Sequence, residues 1–177
     1  GTGTGYSLER MSGVYSVLPN DTLGRVMDAN LRAAESIEWN EEETAFATDL
    51  QTTLRAQPPL TSVGEVEAYS FGDQGFYSTD VGDVSWATPT VGLGTATWVP
   101  GTATHSWQAV AAGGIGIGYK GMRLAAETLA FTAAELLQSP ELIDQAKAEF
   151  EQERGPDFTY SSLIGDRKPA LDYRLKN

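Results

Sequence analysis

Amphipathic patterns fill the first third of the chain, after one short apolar run. Residues 14–18 have the β-branched and aromatic side chains typical of a strand, and Pro19 ends this run. Asn20 or Asp21 then caps a predicted helix that extends to about Ser36. Its apolar positions keep the three-to-four spacing of a buried stripe: Leu23, Val26, Met27, Leu31 and Ala34.

A second helix is predicted to begin at Asn40 and to end before Pro58. Asn40 and Glu43 have capping-box spacing, and the glutamates at 41–43 favour the positive start of a helix. A glutamate triplet can also bind a metal ion, but the charge bias of a helix start is the interpretation that we prefer. One face of this helix would carry Phe46, Leu50 and Leu54.

The middle of the chain, residues 60–110, has no helical period. Glycines interrupt a composition rich in Thr, Val, Trp and Phe. Two strands are predicted here, at residues 84–87 and 91–99, and Pro89 and Pro100 interrupt the pattern.

Helical spacing returns after Gly113 and Gly114, where a long helix rich in Ala and Leu is predicted. Ser139 and Pro140 then begin a last helix that ends near Arg154. The order of strand, two helices, strands and two helices predicts an α/β or α+β layer arrangement. The strands are few for a complete doubly wound domain, so the chain looks like part of one.

Composition narrows the classes of function. The length of 177 residues fits about one domain. There are 24 acidic residues and 12 Lys and Arg, so we expect neither nucleic acid nor an anionic membrane as a partner. Without cysteine there are no disulfides, no thiolate catalysis and no thiolate metal sites. His105 is the one histidine.

The ends and the low-charge stretch suggest a cytoplasmic piece of a longer protein. Residues 1–5 show neither the basic nor the apolar region of a signal peptide, and the chain does not begin with Met. Residues 84–117 are low in charge, but their Gly, Pro, Thr and His residues exclude a membrane span.

A glycine-rich run at residues 113–121 matches G-x-G-x-x-G at Gly116, Gly118 and Gly121, and a helix follows it. A dinucleotide site needs a second strand with an acidic residue after that helix, whereas a second helix follows here. Walker A also fails, because no Ser or Thr follows the lysine. A tight loop or a close backbone approach is the preferred interpretation, and a nucleotide site is the less favoured alternative.

Two aspartates, Asp80 and Asp83, lie among Ser, Thr and Gly in residues 78–86. In one interpretation they form an Asx-type turn, in which carboxylates accept from nearby backbone N–H groups. In the other, they line a site loop, where carboxylates serve acid–base chemistry or orient a ligand. The spacing alone favours neither interpretation.

His105 lies between a predicted strand and the glycine-rich run, in the sequence Thr-His-Ser-Trp. A single histidine is more often structural than a ligand, although a neutral imidazole at this place could reach a metal ion. Ser106 is no triad nucleophile, because it adjoins the one histidine and no nucleophile elbow surrounds it.

Four motifs follow one another along the chain. They are Leu-Pro-Asn-Asp-Thr-Leu at 18–23, Ser-Thr-Asp-Val-Gly-Asp-Val-Ser-Trp at 78–86, Thr-His-Ser-Trp at 104–107 and Lys-Gly-Met at 120–122. Together they resemble the zinc-dependent amidohydrolase, aminoacylase and carboxypeptidase family of metallopeptidases. The resemblance implies an α/β fold in which a sheet with flanking helices forms the second half of a zinc-peptidase-like catalytic domain. Residues 1–18 would end a lid or dimerisation domain, and residues 19–177 would be the carboxyl-terminal half of the catalytic domain.

The same resemblance implies amide hydrolysis by metal-activated water, with two Zn or Mn ions and a glutamate as general base. His105 matches the family's late metal-binding histidine. Most other ligands and the glutamate belong to the family's first half, which this chain lacks. We therefore assign no catalytic residue to the chain, and we expect the isolated chain to lack the ions and to be inactive.

Residues 78–81 occupy the place of a Ser-Glu-Asp-Phe motif in related amidohydrolases. Thr79 and Val81 depart from that motif, so the resemblance gives the loop no direct metal or base role. Instead, it implies substrate binding or organisation of the site by four residues: Ser78, Thr79, Asp80 and Asp83.

The expected substrate is a small-molecule amide, either aminobenzoyl-glutamate or an N-acyl amino acid. Half a domain would also expose apolar surface, so we expect a homo-oligomer. The alternative is a non-enzymatic binding or assembly module, which explains the single histidine without a truncation.

Overall fold

Helices are the regular elements of this protein. The computed structural model describes residues 2–72, 75, 78–168, 171 and 174, and no β-strand occurs within them. No helix in these ranges is long and apolar enough to cross a membrane. The elements are α1 (Asp21–Ala33), α2 (Glu41–Gln51), a 3₁₀ helix (Leu60–Gly64), α3 (Val81–Ser85), α4 (Trp107–Gly113), α5 (Gly116–Gln138) and α6 (Pro140–Arg154).

The α/β prediction is met in its helices, whereas its sheet is not found among the described residues. The predicted strands at 14–18 and 91–97 have no regular secondary structure. Helices α1, α2, α5 and α6 lie where the three-to-four spacing predicted helices. The division into a lid segment and a catalytic half at residue 18 stays a prediction.

The strand predicted at residues 84–87 is wrong, because this stretch begins in helix α3 and ends in a turn. The Ala87 N–H donates to the Val84 carbonyl at 2.9 Å, and the Ser85 hydroxyl donates to the Gly82 carbonyl at 2.5 Å. Both bonds span three residues, as in a helical turn. A four-residue run is too short for its period to distinguish a strand from a helix.

Helix α1 is held at its start by α6. The Asn20 side-chain oxygen accepts from the Leu23 N–H at 3.0 Å, and its amide nitrogen donates to the Ala146 carbonyl at 2.9 Å. The Glu149 carboxylate accepts from the Thr22 N–H at 2.9 Å and from the Thr22 hydroxyl at 2.6 Å. Such acceptors satisfy the free N–H groups of a helix start and suit its positive end. The predicted cap at Asn20 is confirmed.

The predicted capping box of α2 is also confirmed. The Asn40 side chain accepts from the Glu43 N–H at 2.8 Å, and the Glu43 carboxylate accepts from the Asn40 N–H at 2.9 Å. The Lys120 ammonium of α5 donates to the same carboxylate at 2.5 Å and to the Glu38 carbonyl at 2.7 Å. Burial raises the pKa of Glu43, but the bonds from Lys120 and Asn40 outweigh it and leave the pKa below its usual value.

Helix α5 is the longest described helix, and it packs against α1, α4 and α6. Thr128 and Thr132 lie on its buried face, and the Thr132 hydroxyl reaches the Met27 sulfur of α1 at 3.5 Å. Beside this packing, a buried apolar cluster joins α2, α4 and α5 to the residues before α4. Its members are Ala47, Leu50, Val99, Ala112 and Ile117.

Candidate functional site

The predicted site loop at residues 78–86 forms a turn followed by α3. The side chains of Ser78 and Asp80 are exposed, and Thr79 is half-buried. The Thr79 hydroxyl accepts from the Val81 N–H at 3.3 Å, which makes a side-chain-to-backbone turn. Asp80 caps no helix, and its carboxylate bonds to no other described residue. The turn interpretation therefore holds at Thr79 rather than at Asp80.

Asp83 joins two distant segments of the chain. One carboxylate oxygen accepts from the Tyr15 N–H at 3.3 Å, and the other accepts from the Tyr160 hydroxyl at 2.7 Å. The bond to Asp83 raises the pKa of Tyr160, because it favours the protonated phenol. Asp83 therefore positions the residues before α1 and after α6 around the loop.

Aromatic rings pack beside this carboxylate. The Trp86 ring centroid lies 4.6 Å from that of Phe158 and 5.6 Å from that of Tyr15, and Tyr15 lies 5.7 Å from Tyr160. The Trp86 indole N–H also donates to the Ser16 carbonyl at 2.8 Å. Aromatic pairs of this kind are each worth about 0.5–1.5 kcal/mol beyond their buried area. The predicted site loop is thus a rigid junction of three chain segments.

His105 occupies a turn directly before α4, with a backbone φ of 58° in the left-handed region. The next residue fixes this turn, because the Ser106 hydroxyl accepts from the Ala109 N–H at 3.3 Å and donates to the Ala103 carbonyl at 2.7 Å. The His105 side chain is exposed and bonds to no other described residue. Its ring nitrogens are therefore free for a ligand.

A complete metal site does not form within the described part of the chain. No group of three His, Asp or Glu side chains able to hold a metal ion occurs there. A hydrolytic zinc needs about three protein ligands and an open position. The described residues therefore do not fit the pair of ions that the family resemblance implies, and His105 offers one donor. No hydrogen bond or ion pair joins His105 to the 78–86 loop.

The glycine-rich run is part of a helix, since Gly116, Gly118 and Gly121 lie in the first turns of α5. A Cβ at Gly121 would overlap the Ala96 carbonyl oxygen, and a Cβ at Gly118 would overlap the Gly113 carbonyl. The glycines thus permit close backbone contacts, which confirms the close-approach interpretation.

A cleft of about 790 Å³ lies between α1, the residues after the 3₁₀ helix and the residues after α3. This volume is in the usual range of small-molecule sites. None of the predicted site residues lines it. Its lining includes Met27, Leu31, Arg32, Tyr69, Leu93 and Leu124.

A polar network beside this cleft was not predicted. The Tyr69 hydroxyl donates to the Asp21 carboxylate at 2.8 Å, and the Arg25 guanidinium lies 5.2 Å from the Tyr69 ring centroid. Burial, helped by the bond to Asp21, raises the pKa of Tyr69 to about 12. Residues 21 and 69 are far apart in sequence, so no local pattern announces their contact.

Comparison with known proteins finds a relative in Escherichia coli (strain K12). Over 162 residues the chain is 34% identical to the B subunit of p-aminobenzoyl-glutamate hydrolase. This chain is similar to that hydrolase subunit. The motifs of the sequence, within their family, resemble the carboxyl-terminal part of aminobenzoyl-glutamate utilisation protein B, and the comparison confirms that resemblance.

The similarity covers 77% of this chain and 34% of the p-aminobenzoyl-glutamate hydrolase polypeptide. The chain therefore spans about a third of the length of the curated relative that it matches. No family model matches the chain. No solved structure gives a significant match either.

Proposed function

We propose that this chain contributes the later part of a metal-dependent amidohydrolase that hydrolyses aminobenzoyl-glutamate or an N-acyl amino acid. The observation that carries the proposal is the 34% identity over 162 residues to the p-aminobenzoyl-glutamate hydrolase of Escherichia coli. The exposed, unpartnered His105 supports it, because a ligand histidine must present a free ring nitrogen.

In this proposal His105 supplies one ligand to a Zn or Mn ion, and residues outside this chain supply the remaining ligands and the general base. The 78–86 loop borders the substrate through Ser78, Thr79 and Asp80. Asp83 acts through its neighbours, since its carboxylate is already engaged by Tyr15 and Tyr160. It is therefore a positioning residue.

The isolated chain is expected to be inactive, because its described residues offer no complete metal site. Purified chain should bind no stoichiometric zinc or manganese in elemental analysis after gel filtration. It should also release no p-aminobenzoate from p-aminobenzoyl-glutamate when either metal is added. Robust hydrolysis that His105→Ala abolishes would contradict this expectation.

A chimera tests the contribution of this chain directly. The matching third of the Escherichia coli relative is replaced by this chain, and folding is checked by thermal melting. We expect the chimera to hydrolyse p-aminobenzoyl-glutamate. His105→Asn should abolish turnover, because Asn tolerates the left-handed backbone but has no imidazole. Thr104→Ala, at an exposed neighbour, should leave turnover intact. A folded chimera with no activity would count against the proposal.

A non-enzymatic binding or assembly module remains the second candidate. The observation that favours it is the cleft of about 790 Å³, which the predicted site residues do not line. In that case the chimera should lack activity, and variants of His105 should change neither metal content nor binding.

A further inference from the structure

Helix α5 carries an apolar stripe that faces away from the described residues packed against it. Tyr119, Met122 and Leu129 are 57%, 60% and 48% exposed. Gly121 and Thr128 lie on the opposite, buried face of the same helix. Residues three and four apart share a helix face, so the exposed apolar positions form one continuous stripe. The α5 stripe consists of Tyr119, Met122, Ala126, Leu129, Ala130 and Ala133.

The spacing of the stripe is that of a helix–helix seam. Positions 119, 122, 126, 129 and 133 alternate steps of three and four, which is the a/d repeat of a coiled coil. We propose that the α5 stripe binds the α5 stripe of a second copy of this chain. The two helices run antiparallel, and the two-fold axis passes near Ala126.

Side-chain size favours the antiparallel arrangement. Two-fold symmetry about Ala126 places Tyr119 opposite Ala133 of the partner subunit and Met122 opposite Ala130 of the partner subunit. Each large side chain then meets a small one, so the helices can interdigitate along the stripe. A parallel pair would set Tyr119 against Tyr119 and Ala133 against Ala133, with crowding at one end and a gap at the other.

The charges that flank the stripe support the same geometry. Arg123 and Glu127 lie four residues apart on one flank of α5, and the Arg123 side chain is 71% exposed. Equal flanks face each other in an antiparallel pair, so each Arg123 meets Glu127 of the partner subunit. The ion pair of Arg123 with Glu35, at 3.3 Å, competes little because both side chains are largely exposed.

The area of the stripe predicts a weak dimer. A helix of 23 residues is about 35 Å long. Apolar patches of roughly 300–600 Å² are the largest on typical monomers, whereas a standard interface takes about 800 Å² per partner. We expect a dimer dissociation constant of about 1–100 µM. This inference does not depend on the proposed hydrolase function.

Sedimentation velocity over a concentration series tests the interface. Leu129→Glu should weaken dimerisation by at least about tenfold, because it places a charge in the seam. Phe131→Glu is the matched control: Phe131 is also 48% exposed on α5 but lies off the stripe. It should change the dissociation constant by less than about twofold. A wild-type chain that stays monomeric up to about 1 mM would overturn the proposal. So would a Leu129→Glu variant that dimerises like wild type.

Charge reversal gives a second test that leaves the apolar stripe intact. Arg123→Glu and Glu127→Arg should each weaken the dimer, because each opposes like charges across the two-fold axis. The double variant restores both intersubunit pairs and should recover most of the wild-type affinity. High salt should narrow these differences. Failure of the double variant to recover affinity, with helix content unchanged by circular dichroism, would contradict the antiparallel arrangement.

Discussion

The Asp83 carboxylate accepts a hydrogen bond from the Tyr160 hydroxyl at 2.7 Å and another from the Tyr15 N–H at 3.3 Å. One side chain thus holds the residues before α1 and those after α6. We expect Asp83→Ala to release both, because two donors lose their acceptor at once. Hydrogen exchange should become faster at residues 9–18 and 157–167 and stay unchanged in α5.

Asp80→Ala is the control for this change, since its exposed carboxylate bonds to no described residue. Its exchange pattern should equal that of wild type. The neutral form of Tyr160 is favoured in the folded state, because its pKa is raised. The stabilisation is present below the usual pKa of 10.0 and is lost as pH rises through the raised value. Equal protection in wild type and Asp83→Ala would contradict the role given to Asp83.

Tyr69 should make stability fall in alkaline solution. Its pKa is about 12 in the folded protein and 10.0 in its usual state, so the folded protein retains the phenol proton longer. The stabilisation is complete below pH 10 and is lost as pH rises from there through about 12. Urea unfolding at successive pH values measures this. Tyr69→Phe should remove most of the loss; a variant with the wild-type pH dependence would refute the assignment.

Glu43 should make stability fall in acid. Its pKa lies below the usual 4.5, so its stabilisation is present above that value and is lost as pH falls through the lowered pKa. Glu43→Gln keeps an acceptor for the Asn40 N–H but loses the charge that faces Lys120. It should flatten the acid dependence of urea unfolding. Glu43→Ala also loses the capping box and should cost about 1–2 kcal/mol at neutral pH.

Gly121 should not tolerate a larger side chain. Its Cα lies so close to the Ala96 carbonyl oxygen that a Cβ would overlap it. Alanine favours a helix by about 1 kcal/mol over glycine, but the displacement of α5 should outweigh this gain. We expect Gly121→Ala to lower the free energy of unfolding by about 1–3 kcal/mol. Gly92→Ala meets nothing within 4 Å and should be neutral within about 0.5 kcal/mol. Equal stabilities of the two variants would show that the contact is slack.

Local chemistry explains which elements the sequence could predict. The caps at Asn20 and Asn40 depend on N–H groups three residues away, and a pattern of neighbours records such spacing. The strand predicted at 84–87 failed because the contacts that accompany α3 come from distant residues. The Ser85 hydroxyl accepts from the Leu18 N–H at 2.8 Å, a bond that no local pattern shows.

The candidate site could be predicted only as a set of motifs. The identity of His105 and its place before a helix are sequence properties, but its left-handed backbone and free ring are not. The role of Asp83 depends on Tyr15 and Tyr160, which lie at opposite ends of the chain. Spacing could not distinguish a ligand-orienting carboxylate from one that binds chain segments together.

The clamp of Glu149 on Thr22 bears on how the protein is made. Its two hydrogen bonds, at 2.9 and 2.6 Å, join the first turn of α1 to α6 across 127 residues. During synthesis, the start of α1 leaves the ribosome long before its acceptor has been translated. Domains fold as chain emerges at about 5–20 residues per second, so α1 waits several seconds without this partner. Chaperones that bind nascent chains therefore have their longest opportunity at the amino-terminal helix.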